Sequence, residues 1–495
     1  VVHDVLVDPE PVNVSVSDRR IPRNRIWESI GLLALGAVII GVYSSYWRPI
    51  WFDELLHFAM GGMTFEQALK TIDFTTVEVN HGQTGVYMLV DYFLMQAFGA
   101  NSVALRLPSL VSGVVLLLAA VTFLRIKGFS ARWQALALIA LAGHTFLMYF
   151  IGEARPYLPL AACALATLVY YQYPLDQRRA WLPRFLGVFG LIFGVLVHPY
   201  FIYFVVIIVP FSVWTALRSG EIKWSIRNLL RLANLWLLGS AAVVFLVIGQ
   251  LTWMRRIAEF GYDPFALMGS ASNTVNAFWA DHFSGQSNNG LKAAVALSLI
   301  TLVVLLVRRF RGAAPLLPPL VLLVLALLSS AAVSALSAMR TYWILERQWV
   351  AGIALAAVAM VWFFAELHRM ARASGSKWLR VPVFFFVILT LVVGARALST
   401  GISTMQDQRA AQVVIAADTR TVEEILTQAK SGDEGAVDAA NVNIARGGPV
   451  WRELITWYAT QAGMRPDFRA KNPSWSVPLF GNTPEESANS FVLTQ

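Results

Sequence analysis

Apolar blocks that approach or reach the length of a bilayer-crossing helix recur along most of this chain, at 31–43, 110–124, 291–307 and 315–332 among others. A helix needs roughly 17–25 apolar residues to cross a membrane, because no water is available there to satisfy exposed backbone groups. The runs are continuous and do not alternate, which excludes an outer-membrane type of β-barrel. Composition agrees: 57% of the 495 residues are hydrophobic and 14% are charged, against about 25% charged in soluble proteins. The chain reads as an all-α polytopic membrane protein.

Spans fall near 28–46, 103–124, 133–150, 157–172, 184–197, 200–217, 230–251, 291–307, 314–336, 349–366 and 381–398. The formal charge of +9 has a topological explanation and needs no nucleic acid, since Lys and Arg collect in cytoplasmic loops. With the N-terminus inside, every inner segment carries at least three basic residues, among them Arg19, Arg125, Arg178, Lys223, Arg308 and Arg369. This bias places about eleven spans, the N-terminus in the cytoplasm and the C-terminus outside. Segment 85–99 is apolar but short and contains Asp91, so it is expected to lie along the outer face. Counted as a span, it would move every later basic cluster to the outside.

The expected organisation is a cytoplasmic segment 1–27, a transmembrane domain 28–398 with outer loops 47–102 and 252–290, and an extracytoplasmic region 399–495, α or mixed α/β. Helices are expected in that tail at 421–429 and 451–462. Residues 1–25 are polar and lack the apolar core of a cleavable signal, so the first span is expected to do the targeting. Cys163 is the only cysteine, so neither an intrachain disulfide nor a cysteine-built metal site is available. Nucleotide-binding loops, dinucleotide fingerprints and Gly-x-Ser-x-Gly elbows are missing.

Ionisable groups at span ends carry the chemistry, because charges near a bilayer are costly and mark pathways or sites. Four groups stand on the same, outer side. Asp53 and Glu54 follow the first span; adjacent acids suit a general base or a divalent metal ion, and equally a solvated helix start. Glu153, Arg155 and Tyr157 share one turn. There Arg155 would grip a phosphate or carboxylate, or pair locally with Glu153. His198 and Tyr200 end the fifth span, where a histidine serves as a polar cap or contacts substrate. Arg340 and Arg347 flank an aromatic segment and run against the basic-inside trend, which suits an anionic headgroup.

In order, these segments resemble the integral-membrane glycosyltransferases of the GT-C fold. The likeness is to the branch of protein O-mannosyltransferases and bacterial lipid A aminoarabinose and galacturonic acid transferases. Asp53-Glu54 matches an acidic pair after the first span. Residues 80–87, beginning Asn80-His81, stand where the family has a His-Pro-Pro segment, and Phe98-Gly99 follows. Ala104-Leu105-Arg106-Leu107-Pro108-Ser109 then opens a span, Glu153-Ala154-Arg155-Pro156-Tyr157 forms a turn, and His198-Pro199-Tyr200-Phe201 comes next. The departure is Gly82-Gln83 in place of the double proline.

The resemblance implies a polyprenyl-phosphate-sugar donor used on the periplasmic side of a bacterial inner membrane. The acceptor would be lipid A or another glycolipid, a polysaccharide or a protein. Asp53 would be the base, with Glu54 and Glu153 as further acidic groups. Arg155, Arg347 and Arg340 would hold the donor phosphate, and His81, Tyr157, His198 and Tyr200 would contact substrate. No organic cofactor is expected, and a divalent ion is left open. A transporter or flippase of lipid-linked sugars is the rival reading. Its sites usually lie near the midplane and within inverted repeats, whereas here the charges gather on one side and no repeat is found.

Overall fold

The computed structural model describes Glu54, His57 and Leu147 singly, the stretches 64–70, 85–99, 102–144, 150–198, 200–260, 314–340 and 349–396, and a few further positions including 467–469 and 492–494. The architecture is a helical membrane bundle. Its helices are α1 (Phe65–Lys70), α2 (Gly85–Phe98), α3 (Ser102–Ile126), α4 (Ala131–Ala142), α5 (Tyr157–Gln172), α6 (Trp181–Val197), α7 (Phe201–Arg218), α8 (Ile226–Ala233), α9 (Leu235–Phe260), α10 (Leu317–Arg340), α11 (Val350–Ala373) and α12 (Lys377–Arg396). Three-residue strands β1 (Asp467–Arg469) and β2 (Val492–Thr494) pair in parallel in the tail. Among the described residues α3, α7, α11 and α12 are long and apolar enough to cross a membrane, and the bent pair α8–α9 makes a fifth.

Helices α5 and α11 form the centre. Every residue of α5 is buried, as are nearly all of α11. Both are rich in alanine on most sides, so neighbouring helices approach closely, the usual device where lipid supplies no hydrophobic drive between helices. The opposite case is α12, whose Val381, Phe384, Phe385, Ile388, Leu391 and Val392 are exposed apolar residues, a lipid-facing stripe. Within α6, residues Phe189–Phe193 widen into a π-helical turn. Gly190 lies there against Thr167 and Cys163 of α5, leaving no room for a Cβ.

Helix α2 occupies the segment expected to be apolar but short. Fourteen residues span about 21 Å at 1.5 Å each, short of a ~30 Å hydrocarbon core. Tyr87, Met88, Asp91, Tyr92 and Met95 are buried, while Phe93 and Phe98 are exposed, so one side only faces protein. Gly99 ends it at φ 82°, a left-handed conformation that glycine adopts without strain.

Two expected spans differ in detail. The helix expected at 133–150 stops at Ala142, where Gly143 packs onto Gly394 of α12. The span expected from residue 230 begins only after Asn234, which is left-handed at φ 50°. The preceding residues form the separate helix α8, set at 57° to α9. Alternating charge and apolar character over 226–233 suits a helix lying on a surface better than one inside hydrocarbon.

The bundle has two chemically distinct ends. At one, Lys127 Nζ donates to Gln172 Oε1 at 2.6 Å, and Arg178 donates to the carbonyls of Tyr171 and Leu232 at 2.6 and 2.7 Å. Arg369 donates to the Lys127 carbonyl at 3.1 Å. These residues come from the segments that the basic bias assigned to one side. Burial pushes the Lys127 ammonium down to about 8, against the pull of Glu221 and Glu366. The other end holds the buried acids Glu54, Asp91 and Glu153.

Candidate functional site

The starts of α2 and α3, the helical positions 54 and 57 and one turn converge at that other end, and their side chains meet because of simple spacing. Residues three or four apart share a helix face. Glu54 and His57 are both helical and three apart, Arg106 and Ser109 are three apart on α3, and Tyr87 and Asp91 are four apart on α2.

Arg106 Nε donates to Glu54 Oε1 at 2.8 Å and its Nη2 to Oε2 at 2.6 Å. This is a bidentate fork between two fully buried groups. The Ala154 amide donates to the same Glu54 Oε1 at 2.7 Å. Glu54 is thereby tied both to the opening of α3 and to the Glu153–Tyr157 turn. A buried ion pair is tolerable only when its hydrogen bonds are this complete, since desolvating each charge costs several kcal/mol.

The turn is held from below. Ser109 Oγ donates to the Glu153 carbonyl at 2.5 Å, and the Tyr87 hydroxyl donates to the Arg155 carbonyl at 3.3 Å. The Arg155 amide donates to the Glu153 carbonyl at 2.9 Å, closing a tight bend. Glu153 and Arg155 are both buried, so they are not an exposed surface pair. The Arg155 guanidinium stands 5.7 Å from the Tyr157 ring, within cation–π range.

His198 follows α6 and its ring lies 6.1 Å from that of Tyr157 and 4.7 Å from that of Tyr200. Its Nδ1 accepts from the Tyr200 amide at 3.2 Å, which places the ring proton on Nε2. Burial, and then the charge of Arg155, push its pKa down to about 3. His198 is therefore neutral, caps the turn, and keeps one N–H donor beside Arg155 and Tyr157.

A second buried pair lies beside the first. His57 Nδ1 and Asp91 Oδ2 are 2.5 Å apart, a distance that needs a proton between them. The Tyr87 ring packs edge-on against His57 at 5.4 Å. Burial, and then the charge of Glu54, hold the Asp91 carboxyl well above the ordinary carboxylate range.

Of the residues expected from sequence, the structure gathers Glu54, Glu153, Arg155, Tyr157, His198 and Tyr200 at one end of the bundle. Asp53, His81 and Arg347 lie outside the described residues. Arg340 is the last residue of α10, and its side chain is likewise outside them. Sequence reasoning did not find the His57–Asp91 pair or the partner of Glu54. The available signal was the Glu54–His57 and Arg106–Ser109 spacing. Among the described residues no group of three His, Cys, Asp or Glu side chains that could hold a metal ion occurs.

No family model and no curated protein matches the chain. Two solved structures resemble it. One is ArnT from Cupriavidus metallidurans in the apo state, with a TM-score of 0.44 at 15% identity over 92% of this chain and 77% of that one. The other is the same protein bound to undecaprenyl phosphate, with a TM-score of 0.44 at 14% identity over 93% of this chain and 87% of that one. At these values the likeness bears on neither the site nor its chemistry.

Proposed function

We propose that this chain is a membrane glycosyltransferase that moves a sugar from a polyprenyl-phosphate donor to an acceptor hydroxyl or other nucleophile at the periplasmic face. The observation that supports it is the tether of Glu54 to Arg106 and to the Ala154 amide. Three segments picked out separately in the sequence, 53–54, 104–109 and 153–157, are joined through one carboxylate.

Both Glu54 oxygens are engaged by this tether, so Glu54 is a positioning residue and Asp53, its neighbour, is the base. Asp53 would take the acceptor's proton as the nucleophile forms its bond to the anomeric carbon. The glycosidic C–O bond breaks in line, and the electron pair leaves with the polyprenyl phosphate. One displacement inverts the anomeric centre. Charge builds on the departing phosphate, and a fixed guanidinium such as Arg155 stabilises that charge more than the ground state. Arg347 and Arg340 are the further candidates for the phosphate, and Glu153 faces the sugar. Tyr157, His198 and Tyr200 supply an aromatic wall and one N–H donor for sugar hydroxyls, with His81 as a further contact. The acceptor class is lipid A or another glycolipid, a polysaccharide or a protein.

The test compares glycolipids by mass spectrometry in cells carrying the parent and Asp53→Asn. The variant keeps shape and hydrogen bonding but loses the basic carboxylate. It is expected to insert normally, lose at least ~10²-fold in turnover, and let a polyprenyl-phosphate-sugar accumulate. Parent-like transfer by a folded Asp53→Asn protein would remove Asp53 from the role. A parent-like glycolipid profile in cells lacking the chain would remove the reaction itself.

A further inference from the structure

We propose that α8 is an interfacial helix whose outer face seats in the headgroups of anionic phospholipid at the basic end of the bundle. The inference stands apart from the proposed reaction. Helix α8 has three distinct faces. Leu232 turns inward with no exposed surface, joining Ala216 and Ile222, with Leu229 packed beside them. Ile226, Leu230 and Ala233 form one outer stripe, four and three residues apart, with Ile226 72% and Leu230 42% exposed. Arg227 and Arg231, also four apart and exposed, run alongside it, and exposed Lys223 precedes the helix.

The inner face is pinned. Ser225 caps the helix by accepting from the Asn228 amide at 3.3 Å. Arg178 donates to the Leu232 carbonyl at 2.7 Å, and the Tyr171 hydroxyl donates to the Ala233 carbonyl at 2.9 Å. At the elbow, Asn234 Nδ2 donates to the Tyr170 hydroxyl at 2.5 Å. A helix fixed so firmly on one side, with large apolar residues exposed on the other, has a partner for that side.

Two observations identify the partner as lipid. The first is the ring of tryptophans at this level. Trp224 and Trp236 bracket α8, Trp181 opens α6 and Trp378 lies in the first turn of α12; they are 79%, 89%, 66% and 74% exposed. Each lies within a few residues of a basic cluster, the pattern of an aromatic belt at a membrane interface. Beyond the elbow, Leu235, Val243, Leu246 and Val247 of α9 are exposed and apolar, so hydrocarbon begins there. The second is charge. Lys223, Arg227 and Arg231 stand with no acid on α8, and the nearby Glu221 accepts from the Leu175 amide at 3.1 Å. An apolar stripe edged by arginines suits anionic headgroups above acyl chains.

The full-length protein in nanodiscs tests this. In a Cys163→Ala background, Ile226→Cys carrying a bimane label should be quenched by brominated acyl chains and shielded from aqueous iodide. Without any label, phosphatidylglycerol retained through detergent purification is measured by mass spectrometry. Retention should fall several-fold in R227Q/R231Q and stay at the parent level in R227K/R231K, because charge and not the guanidinium fork attracts the headgroup. A label reached by iodide and not by bromolipid would give this face to a soluble partner and overturn the proposal. So would equal phosphatidylglycerol retention by the parent and R227Q/R231Q.

Discussion

Glu54 and Arg106 illustrate how a buried charge is tolerated at the level of single residues. Neither has exposed surface, so removing one breaks a fully buried ion pair, at a cost of about 3–5 kcal/mol. Arg106→Met should therefore lower the melting temperature in detergent sharply, and adding Glu54→Gln should recover much of the loss. Additive losses in the double variant would mean the two side chains act independently. His198 offers a test by pH. Its folded pKa of about 3 lies below the ordinary 6.5. As pH falls below 6.5 the unfolded chain binds a proton that the folded chain refuses, so folding weakens progressively toward about pH 3. The drop in melting temperature over that window should be shallower in His198→Asn than in the parent. Equal slopes would show that the ring is not held neutral.

At the scale of elements, Asn234 contributes to the elbow between α8 and α9 in two ways, by its left-handed backbone and by its side-chain hydrogen bond to Tyr170. The two contributions separate by substitution. Asn234→Gly keeps the left-handed conformation and loses the bond to Tyr170, about 1 kcal/mol. Asn234→Val loses the bond and adds roughly 1–2 kcal/mol for a side chain in the left-handed region. Thermal melts in nanodiscs should rank parent, then Gly, then Val; a Val variant as stable as Gly would mean that the elbow straightens freely. The same residue explains why the expected span at 230–251 began too early. An unbroken apolar helix was assumed, and the asparagine side chain that stabilises the break finds its partner 64 positions away.

For the whole molecule, the two ends follow from the helices that connect them. Helix α3, 25 residues long, carries Arg106 and Ser109 near its start and Lys127 just past its end, and at 1.5 Å per residue Arg106 and Lys127 stand about 32 Å apart along it. The acidic site and the basic lock therefore lie at opposite ends of a helix long enough to cross a membrane. Basic bias assigns the lock to the cytoplasm. With Cys163 replaced, single cysteines at Ser431 and Ser374 in intact cells test the assignment with an impermeant thiol reagent. Ser431→Cys should label and Ser374→Cys should not, and the reverse pattern would invert the topology.

Much of this design is local and so is visible in the sequence. Apolar run length announces a helical membrane bundle, basic clusters sort its ends, and the short apolar segment around Asp91 forms the short helix α2. The residues Glu54, Glu153, Arg155 and His198 stand out because charge near hydrocarbon is costly wherever it falls. Tertiary structure alone decided which of these charges meet. Glu54 and Arg106 are 52 residues apart, and His57 and Asp91 are 34 apart. Periodicity reports which face a residue occupies, and carries no information about the facing helix. Burial makes each partner obligatory, and packing of α2 and α3 around the turn before α5 decides who that partner is.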